Sequence, residues 1–394
     1  MPRTIRFFSL FVSLSFAFLL SACRAPAPGT EKGENPEVSL RHFDTAPARA
    51  EGIRLAILYP STGSLNALRT LREKGLFSPD ELEVVGVFHE AERTEYDRSI
   101  AMVEDESLDW IRFHRLSGEL NRDNLFGNHG LSGEFRDIFE KSDGIIFFGG
   151  ADIPPYLYGE ETSLLTGIRT PYRHFLELSF MFHLLGGFQD KDFTPFLASA
   201  PEFPVLGICL GEQTLNVGTG GTMVQDVAAE IYGARSQEEV IALGRESWHT
   251  NPYARLFPEK RLFSYNLHPI RLLPESLFIQ ELGFSPQDTP FIMSAHHQAV
   301  EKLGRGLYPI ATSLDGKVVE AIAHKDFPHV LGIQFHPEFP VLWDPEARFK
   351  MTPEDTSEFS AFSILQDNPP SKEFHRKLWA WFTARLEGSR ASRR

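Results

Sequence analysis

Cysteine is almost absent from this chain, which has two in 394 residues, Cys23 and Cys209. At most one disulfide can therefore form. Basic residues are fewer than acidic ones: the chain has 39 Lys and Arg and 53 Asp and Glu, which gives a net charge of -14. Because nucleic-acid binding needs a concentrated basic face, we expect no nucleic-acid partner. The remaining composition, 42% hydrophobic and 23% charged, is typical of an ordinary globular protein.

The first residues resemble a bacterial export signal. Two arginines precede an apolar run over residues 7–20, which has the length of a signal-peptide core and is short for a membrane span. The run ends in Leu-Ser-Ala-Cys, which resembles a lipobox with Cys23 as the acylated residue; an ordinary cleavage site beside a cysteine is the alternative. We predict a lipoprotein signal peptide over 1–22 and a Pro- and Gly-rich flexible linker over 23–51. The protein would then be exported and held at a membrane by its lipid.

Apolar runs alternate with helical spacing through residues 52–340, which we predict to be one α/β domain. Continuous apolar strands between helices predict a mostly parallel sheet with helices on both faces, and the shorter later runs predict added antiparallel strands. We interpret residues 186–204 as a surface insertion and residues 341–394 as a C-terminal extension with an amphipathic helix. The predicted strands are 53–59, 82–88, 144–148, 204–209, 262–267, 291–294, 318–324 and 330–335, and the main predicted helices are 64–74, 176–185, 211–217 and 372–386.

Cys209 stands between two glycines where a predicted strand meets a predicted helix, in the sequence Gly207-Ile-Cys-Leu-Gly211. Such a turn strains the backbone of its central residue and exposes that residue at the carboxyl edge of the sheet. The amides at the start of the helix favour a thiolate and can receive an oxyanion. The alternative is a buried structural cysteine flanked by turn glycines, and this motif alone does not distinguish it from a nucleophile.

His336 and Glu338 follow an apolar strand and flank Pro337. Residues two apart project on the same side of an extended chain, so the pair suits a general base and its orienting carboxylate. A strand end with a surface carboxylate is the commoner explanation of a lone His-x-Glu. Gly149 and Gly150 follow another strand and let backbone amides approach a ligand, although a tight turn explains them equally well.

Taken together, these motifs resemble the class I glutamine amidotransferases, and within them the γ-glutamyl-γ-aminobutyrate hydrolase-like branch. The similarity covers about residues 53–339, in the order expected for that branch. It rests on Gly-x-Cys-x-Gly-x-Gln with Leu215-Asn216 and Gly220-Gly221-Thr222, on Gly149-Gly150-x-Asp152, on Ser294-x-His-His-Gln-Ala-Val300, and on Val319-Glu-Ala321 with Gly332-x-Gln-Phe-His-Pro-Glu338.

The resemblance implies a flavodoxin-like sheet and hydrolysis of a γ-glutamyl amide through a γ-glutamyl thioester, with no cofactor and no metal. It implies that Cys209 attacks, that His336 relays the proton, and that Glu338 orients the imidazole. The oxyanion would be received by the amides of Gly150 and Leu210. The residues expected to contact the glutamyl group are Gln213, Ser294, His296, His297 and Gln298; metal binding is the alternative for the two histidines.

Two positions depart from this branch. Leu210 stands where a basic residue is usual, and Arg173-His174 stands where Arg-Asp is usual. Both departures leave the predicted Cys209, His336 and Glu338 unchanged, but they leave the identity of the substrate undecided. We therefore expect an autonomous γ-glutamyl hydrolase. An amidotransferase that feeds ammonia to a partner and a non-catalytic γ-glutamyl-binding protein are the alternatives, and the sequence does not decide whether the domain forms a homodimer.

Overall fold

The computed structural model describes residues 52–393. The predicted signal peptide, the lipid site at Cys23 and the linker lie outside these residues, so the membrane anchor and the exported location stay predictions. Among the described residues, no helix combines the length and the apolar character that a membrane span requires.

A ten-stranded mixed sheet forms the centre of the described domain. The strands are β1 Arg54–Leu58, β2 Glu83–His89, β3 Ile111–Leu116, β4 Gly144–Phe147, β5 Val205–Ile208, β6 Met223–Val224, β7 Asn266–Leu272, β8 Phe291–Ser294, β9 Ala299–Val300, β10 Leu307–Ser313, β11 Val319–His324 and β12 Val330–Ile333. Their order in the large sheet is β3-β2-β1-β4-β5-β12-β11-β10-β7-β8, while β6 and β9 pair separately.

The sheet has a parallel half and an antiparallel half. The six strands from β3 to β12 run parallel, and β11, β10, β7 and β8 add to them in antiparallel fashion. If the edge strand β3 is set aside, the five remaining parallel strands have the chain order 2-1-3-4-5, which is the flavodoxin-like order. The predicted α/β, flavodoxin-like fold with added antiparallel strands is therefore confirmed.

Helices cover both faces of the sheet, as the continuous apolar strands predict. The helices are α1 Thr62–Glu73, α2 Tyr96–Asp105, α3 Ser132–Lys141, α4 Pro171–Leu185, α5 Leu210–Gly218, α6 Gln237–Leu243, α7 Pro252–Leu256, α8 Leu277–Gln280, α9 Ala361–Asp367 and α10 Pro369–Arg393. Alternate side chains of β1 enter two different cores: Ile57 joins the core under α1 and α10, whereas Leu58 joins the core under α3, α4 and α5.

Three features differ from the sequence prediction. The strand expected over 262–267 begins only at Asn266, because Leu262 makes an isolated bridge to Lys350 instead. The supposed surface insertion 186–204 buries Phe196 and Phe203, so its second half belongs to the core. The prediction also lacked the helices α2 and α6 to α9 and the strands β3, β6, β9 and β10, which are short or have apolar residues interrupted by charged or polar ones.

Buried histidines make the fold sensitive to acid. His174 in α4 is buried, and among the described residues neither of its ring nitrogens has a hydrogen-bond partner. Burial and the neighbouring charge of Arg173 lower the pKa of His174 from 6.5 to about 3. Burial likewise lowers the pKa of His183 and of His375, each to about 4. Between pH 6.5 and these values the unfolded chain binds more protons, so stability falls as the pH falls.

We expect the free energy of unfolding to decrease between about pH 6.5 and pH 4, by up to roughly 3 kcal/mol for each of these histidines. Urea unfolding midpoints measured across this range test the prediction. In His174→Leu the loss should be smaller, because one buried group no longer takes up a proton only on unfolding. A pH dependence identical in the variant and the parent would contradict the assignment.

Candidate active site

Cys209 lies at the sharp turn between β5 and α5. Its backbone has φ 54° and ψ -105°, a conformation that non-glycine residues rarely adopt and that stores strain. The flanking glycines are required by close backbone approach: a Cβ at Gly207 would collide with the carbonyl of Gly211, and a Cβ at Gly211 would collide with the carbonyl of Phe147. The Gly-x-Cys-x-Gly pattern therefore holds a strained turn, as a nucleophile elbow requires.

We expect Gly211→Ala to lower turnover by about 100-fold or more, because the elbow must shift to clear the Phe147 carbonyl and reacting groups tolerate little displacement. A matched control is Gly133→Ala in α3, where no heavy atom lies within 4 Å of the added Cβ. That control should keep full activity and gain slightly in stability. Equal kcat values for the parent and Gly211→Ala would contradict the steric argument.

His336 and Glu338 form a short, buried pair at the end of β12. Nδ1 of His336 lies 2.7 Å from Oε1 of Glu338, and both side chains are at most 5% exposed. The imidazole stacks on the ring of Phe339, with centroids 4.0 Å apart, and the amide of His336 donates to the carbonyl of Met293. These contacts fix the orientation of the ring.

The electrostatics favour a charged imidazole. Burial opposes a charge on His336, but the negative charges of Glu338 and of the Cys209 thiolate outweigh that effect and raise the pKa of His336 to about 10. The arrangement therefore favours a protonated His336 imidazole, with Cys209 and the Glu338 carboxylate as its neighbours. This is the charge state that an activated cysteine nucleophile needs.

Residues near the C-terminus hold the His-Pro-Glu turn. The carbonyl of Pro337 accepts hydrogen bonds from the indole nitrogens of Trp343, at 3.0 Å, and of Trp379 in α10, at 3.3 Å. Both tryptophans are buried in the main core. The segment predicted as a C-terminal extension thus packs directly against the turn that carries His336 and Glu338.

Gly149 and Gly150 follow β4 and face the elbow. A Cβ added to Gly149 would lie 2.9 Å from Cε1 of His336, and one added to Gly150 would lie 2.9 Å from the Leu210 side chain. The amide of Leu210 opens α5, where helix amides lack an internal partner. Among the described residues neither the Gly150 amide nor the Leu210 amide donates a hydrogen bond. Both amides therefore have no protein acceptor, and their role as oxyanion donors beside Cys209 stays a prediction.

Arg173 supports this loop, a function that the sequence analysis did not assign. Its guanidinium donates to the carbonyls of Phe148, at 2.8 Å, and Gly149, at 3.1 Å, and pairs with Glu177 at 2.6 Å. It also lies 3.5 Å from the ring centroid of Tyr59, which follows β1 with φ 63°. A charged pair four residues apart inside the apolar helix α4 is the sequence signal that could have revealed it.

Two cavities meet at this edge of the sheet, and both are lined by Tyr59 and Gly150. The larger, of about 760 Å³, contains Cys209, His336 and Glu338. The smaller, of about 480 Å³, carries charged groups of both signs: Asp152, Arg169, Arg173, Asp226, Arg255 and His297. The carboxyl ends of β1, β4, β5 and β12 all border this region, which includes the position between β1 and β4 where the strand order reverses.

Residues 131–338, slightly more than half of the chain, match the Peptidase C26 family, and this span includes Cys209, His336 and Glu338. The chain belongs to the Peptidase C26 family. Membership supports the class I glutamine amidotransferase-like superfamily and a cysteine hydrolase or amidotransferase-type role.

Known proteins similar to this Peptidase C26 member include the glutamine amidotransferase-like protein YvdE of Lactococcus lactis, which is 34% identical over 204 residues, or 52% of this chain and 68% of YvdE. A Mycobacterium tuberculosis protein provisionally named a glutamine amidotransferase is 28% identical over 201 residues, or 51% of this chain and 52% of its own length. The solved glutamine amido transferase from Methylobacillus flagellatus aligns with 18% identity and a TM-score of 0.36 over 78% of this chain and 95% of its own.

The residues predicted to contact substrate occupy three different environments in this Peptidase C26 domain. The Gln213 amide donates to the Gln334 side chain, and the Ser294 hydroxyl donates to the carbonyl of His249. His297 lines the smaller cavity, and its two nitrogens lie 3.0 Å from Asp152 and 3.2 Å from Asp226. Substrate contact by these residues stays a prediction.

The remaining two residues of that set, His296 and Gln298, are buried. The Gln298 amide donates to the backbone carbonyl of Gln225. The His296 ring lies near Glu320, with Nε2 3.7 Å from a carboxylate oxygen. Their substrate contact also stays a prediction, and in the structure both side chains are turned to other protein groups.

Burial lowers the pKa of His297, but hydrogen bonds to Asp152 and Asp226, and the charges of these carboxylates, outweigh it and raise the pKa to about 9. At neutral pH the His297 ring is therefore a cation between two carboxylates. Sequence reasoning singled out His297 and Asp152, but it did not foresee the partner Asp226.

Proposed function

We propose that this protein is a hydrolase that cleaves γ-glutamyl amide bonds through a γ-glutamyl thioester on Cys209, acting outside the cytoplasm from a lipid anchor. The observation that carries the enzymatic part is the strained elbow that holds Cys209 beside the buried His336–Glu338 pair. The location rests on the signal-like run over 7–20 and on Cys23.

The proposed reaction has two balanced halves. In the first, the Cys209 thiolate attacks the γ-carbonyl carbon, and the amides of Gly150 and Leu210 receive the oxyanion. Collapse of the tetrahedral intermediate breaks the C–N bond as His336 gives its proton to the departing amine. In the second half, His336 takes a proton from water, the hydroxide attacks the thioester, and glutamate and the thiolate are released. Glu338 stabilises the imidazolium in both halves.

The smaller cavity suits the head group of a glutamyl substrate. An α-amino and an α-carboxyl group carry opposite charges, and the walls of this cavity supply carboxylates at Asp152 and Asp226 and guanidinium groups at Arg169 and Arg255. Gly150 borders both cavities, so a substrate bound in the smaller cavity can extend its γ-carbonyl toward Cys209. This assignment belongs to the proposal.

The test combines a covalent probe with a substrate panel. The purified chain is treated with 6-diazo-5-oxo-norleucine, a glutamine-mimicking electrophile, and its intact mass is measured; glutamate release is then followed with γ-glutamyl amides and peptides. We expect one adduct on Cys209, absent in His336→Ala, and glutamate release from at least one substrate. If a small generic thiol reagent labels Cys209 while the glutamine mimic does not, and no substrate is cleaved, the proposal is wrong.

An amidotransferase subunit is the second candidate. It is favoured by Leu210, which stands where true amidotransferases also have an apolar residue, and by the name of YvdE. Such a subunit releases ammonia from glutamine, and its rate rises when a synthetase partner is bound. Preference for free glutamine over all substituted γ-glutamyl amides, together with a stable synthetase complex in a pulldown, would favour this candidate over the autonomous hydrolase.

A further inference from the structure

A second cluster of chemically active side chains lies away from Cys209, beneath the antiparallel half of the sheet. It consists of His249, His268, His296 and Glu320, all at most 5% exposed. One nitrogen from each histidine and one oxygen of the carboxylate lie within 4.8 Å of one another. The proposed reaction uses none of these groups, so the cluster calls for a separate explanation.

The shortest separations within the cluster are close to those between the ligands of a tetrahedral metal ion, and the longest do not exceed 4.8 Å. Nδ1 of His249 is 3.2 Å from Nε2 of His296 and 3.3 Å from Oε1 of Glu320. Nε2 of His268 is 3.8 Å from Oε1, and Nε2 of His296 is 3.7 Å from Oε2. A tetrahedral zinc ion with bonds of about 2.0–2.1 Å has ligand atoms roughly 3.3 Å apart.

Hydrogen bonds outside the cluster set the tautomers of two of its three histidines, whereas Nε2 of His249 has no partner among the described residues. Nδ1 of His296 lies 2.8 Å from the carbonyl of Gln298, and Nδ1 of His268 lies 3.2 Å from the carbonyl of Pro269. Because a carbonyl only accepts, each Nδ1 carries the proton and each Nε2 turns a lone pair toward Glu320. Metal-binding histidines are oriented in this way by their outer partners.

Without a cation, the polar atoms of the cluster share few donors. Nδ1 of His249 lies 3.3 Å from Oε1 of Glu320 and 3.2 Å from Nε2 of His296, so one N–H serves both, and among the described residues Nε2 of His268 has no hydrogen-bond partner. The carboxyl of Glu212, at the start of α5, is likewise buried and unpartnered. Buried carboxylates without donors are expensive, and a shared cation would satisfy Glu320 and the histidine lone pairs together.

The scaffold around the cluster is rigid, and an approach from the surface exists. His268 and Glu320 stand on β7 and β11, while the His296 amide donates to the carbonyl of His249 and so links the two loops. His249 and His296 also line a surface cavity of about 360 Å³. A metal ion can therefore reach ligands that two strands and two linked loops already hold in place.

We propose that His249, His268, His296 and Glu320 form a structural zinc site. Four protein ligands of the His3Glu type complete a tetrahedral shell and leave no open position, which is the pattern of structural rather than catalytic zinc. The ion would tie β7, β11 and two loops together behind the elbow. This inference does not depend on the proposed γ-glutamyl chemistry, and it is an alternative to the substrate-contact role predicted for His296.

The test is metal binding by the purified full chain. The protein is stripped with a chelator, equilibrated with Zn²⁺ and dialysed against metal-free buffer, and bound zinc is measured by mass spectrometry. We expect one zinc per chain, with a higher melting temperature than the stripped form. Co²⁺ in place of zinc should give the visible absorption of a tetrahedral ion without a thiolate charge-transfer band. The second readout requires neither activity nor a variant.

Matched variants locate the ion. Glu320→Gln keeps the shape of the side chain and should weaken zinc binding by at least about 100-fold, since losing a ligand is worse than losing an outer partner. His297→Asn, next in sequence to His296 but outside the cluster, should bind one zinc as the parent does. Cys209→Ala should also bind one zinc, which separates this site from the thiolate–imidazole pair.

Two results would overturn the proposal. The first is that the parent retains no zinc, gives no tetrahedral cobalt spectrum and melts at the same temperature with and without metal; the cluster would then be a hydrogen-bonded histidine network. The second is that zinc binding is lost in Cys209→Ala and kept in Glu320→Gln, which would assign the ion to the elbow.

Discussion

Replacing Cys209 with alanine is expected to lower the rate of γ-glutamyl amide hydrolysis by about 10⁴-fold or more, because no other group can form the thioester. Cys209 is the only cysteine among the described residues. His336→Ala should cost nearly as much, and the double variant should be hardly worse than either, since nucleophile and base act as one unit. Steady-state kinetics on the best γ-glutamyl substrate give these ratios.

The control for this experiment is Val341→Ala, on the wall of the same cavity. It removes apolar surface without touching the Cys209–His336–Glu338 constellation, so it should alter KM more than kcat. Melting temperatures should show that every variant is folded. Retention of full activity by Cys209→Ala would refute the thioester mechanism, whereas binding without turnover in the parent would favour the binding-protein alternative.

Replacing Arg173 with methionine is expected to damage both stability and catalysis, for separable reasons. The side chain is buried with Glu177, and removing one member of a buried ion pair costs about 3–5 kcal/mol of unfolding free energy. The carbonyls of Phe148 and Gly149 also lose their donor, so the Gly150 amide is no longer held toward the elbow. Losing one well-placed oxyanion donor lowers kcat by about 10²–10³-fold.

A second substitution separates the two effects. In Arg173→Met combined with Glu177→Leu, the Arg173 substitution no longer leaves the Glu177 carboxylate unpaired, so most of the stability should return while kcat stays low. Urea unfolding and kcat, measured on the single and the double variant, test this. If kcat recovers together with stability, Arg173 acts only through the fold, and its role as a positioning residue for the Gly149–Gly150 loop is wrong.

The parallel half of the sheet could be predicted from the sequence because its strands are continuous apolar runs. β1, β2, β4, β5 and β12 are buried along their whole length, and each was predicted within one or two residues. β3 was missed because its sequence, Ile-Arg-Phe-His-Arg-Leu, exposes part of one face at the edge of the sheet. The pattern of β10 is interrupted in the same way by partly exposed positions and a proline.

The parts of the site that lie in short sequence motifs could be predicted, whereas the part assembled from distant segments could not. The Cys209 elbow and the His336–Glu338 pair each lie within a short sequence motif, so the sequence could predict that they belong to one site. The cluster of His249, His268, His296 and Glu320 could not, because its four members come from segments that only the antiparallel strands bring together. Spacing along the chain carries no signal for such a set.

The two indoles on the carbonyl of Pro337 have a consequence for the order in which the protein matures. Domains fold progressively as synthesis proceeds from the N-terminus. Cys209 is made before Trp379, which follows it by 170 residues and helps to hold the turn bearing its base. We therefore expect the Cys209 thiol of a growing chain to lack a correctly held base until α10 docks, so that the timing of assembly, rather than an inhibitor, delays its reactivity.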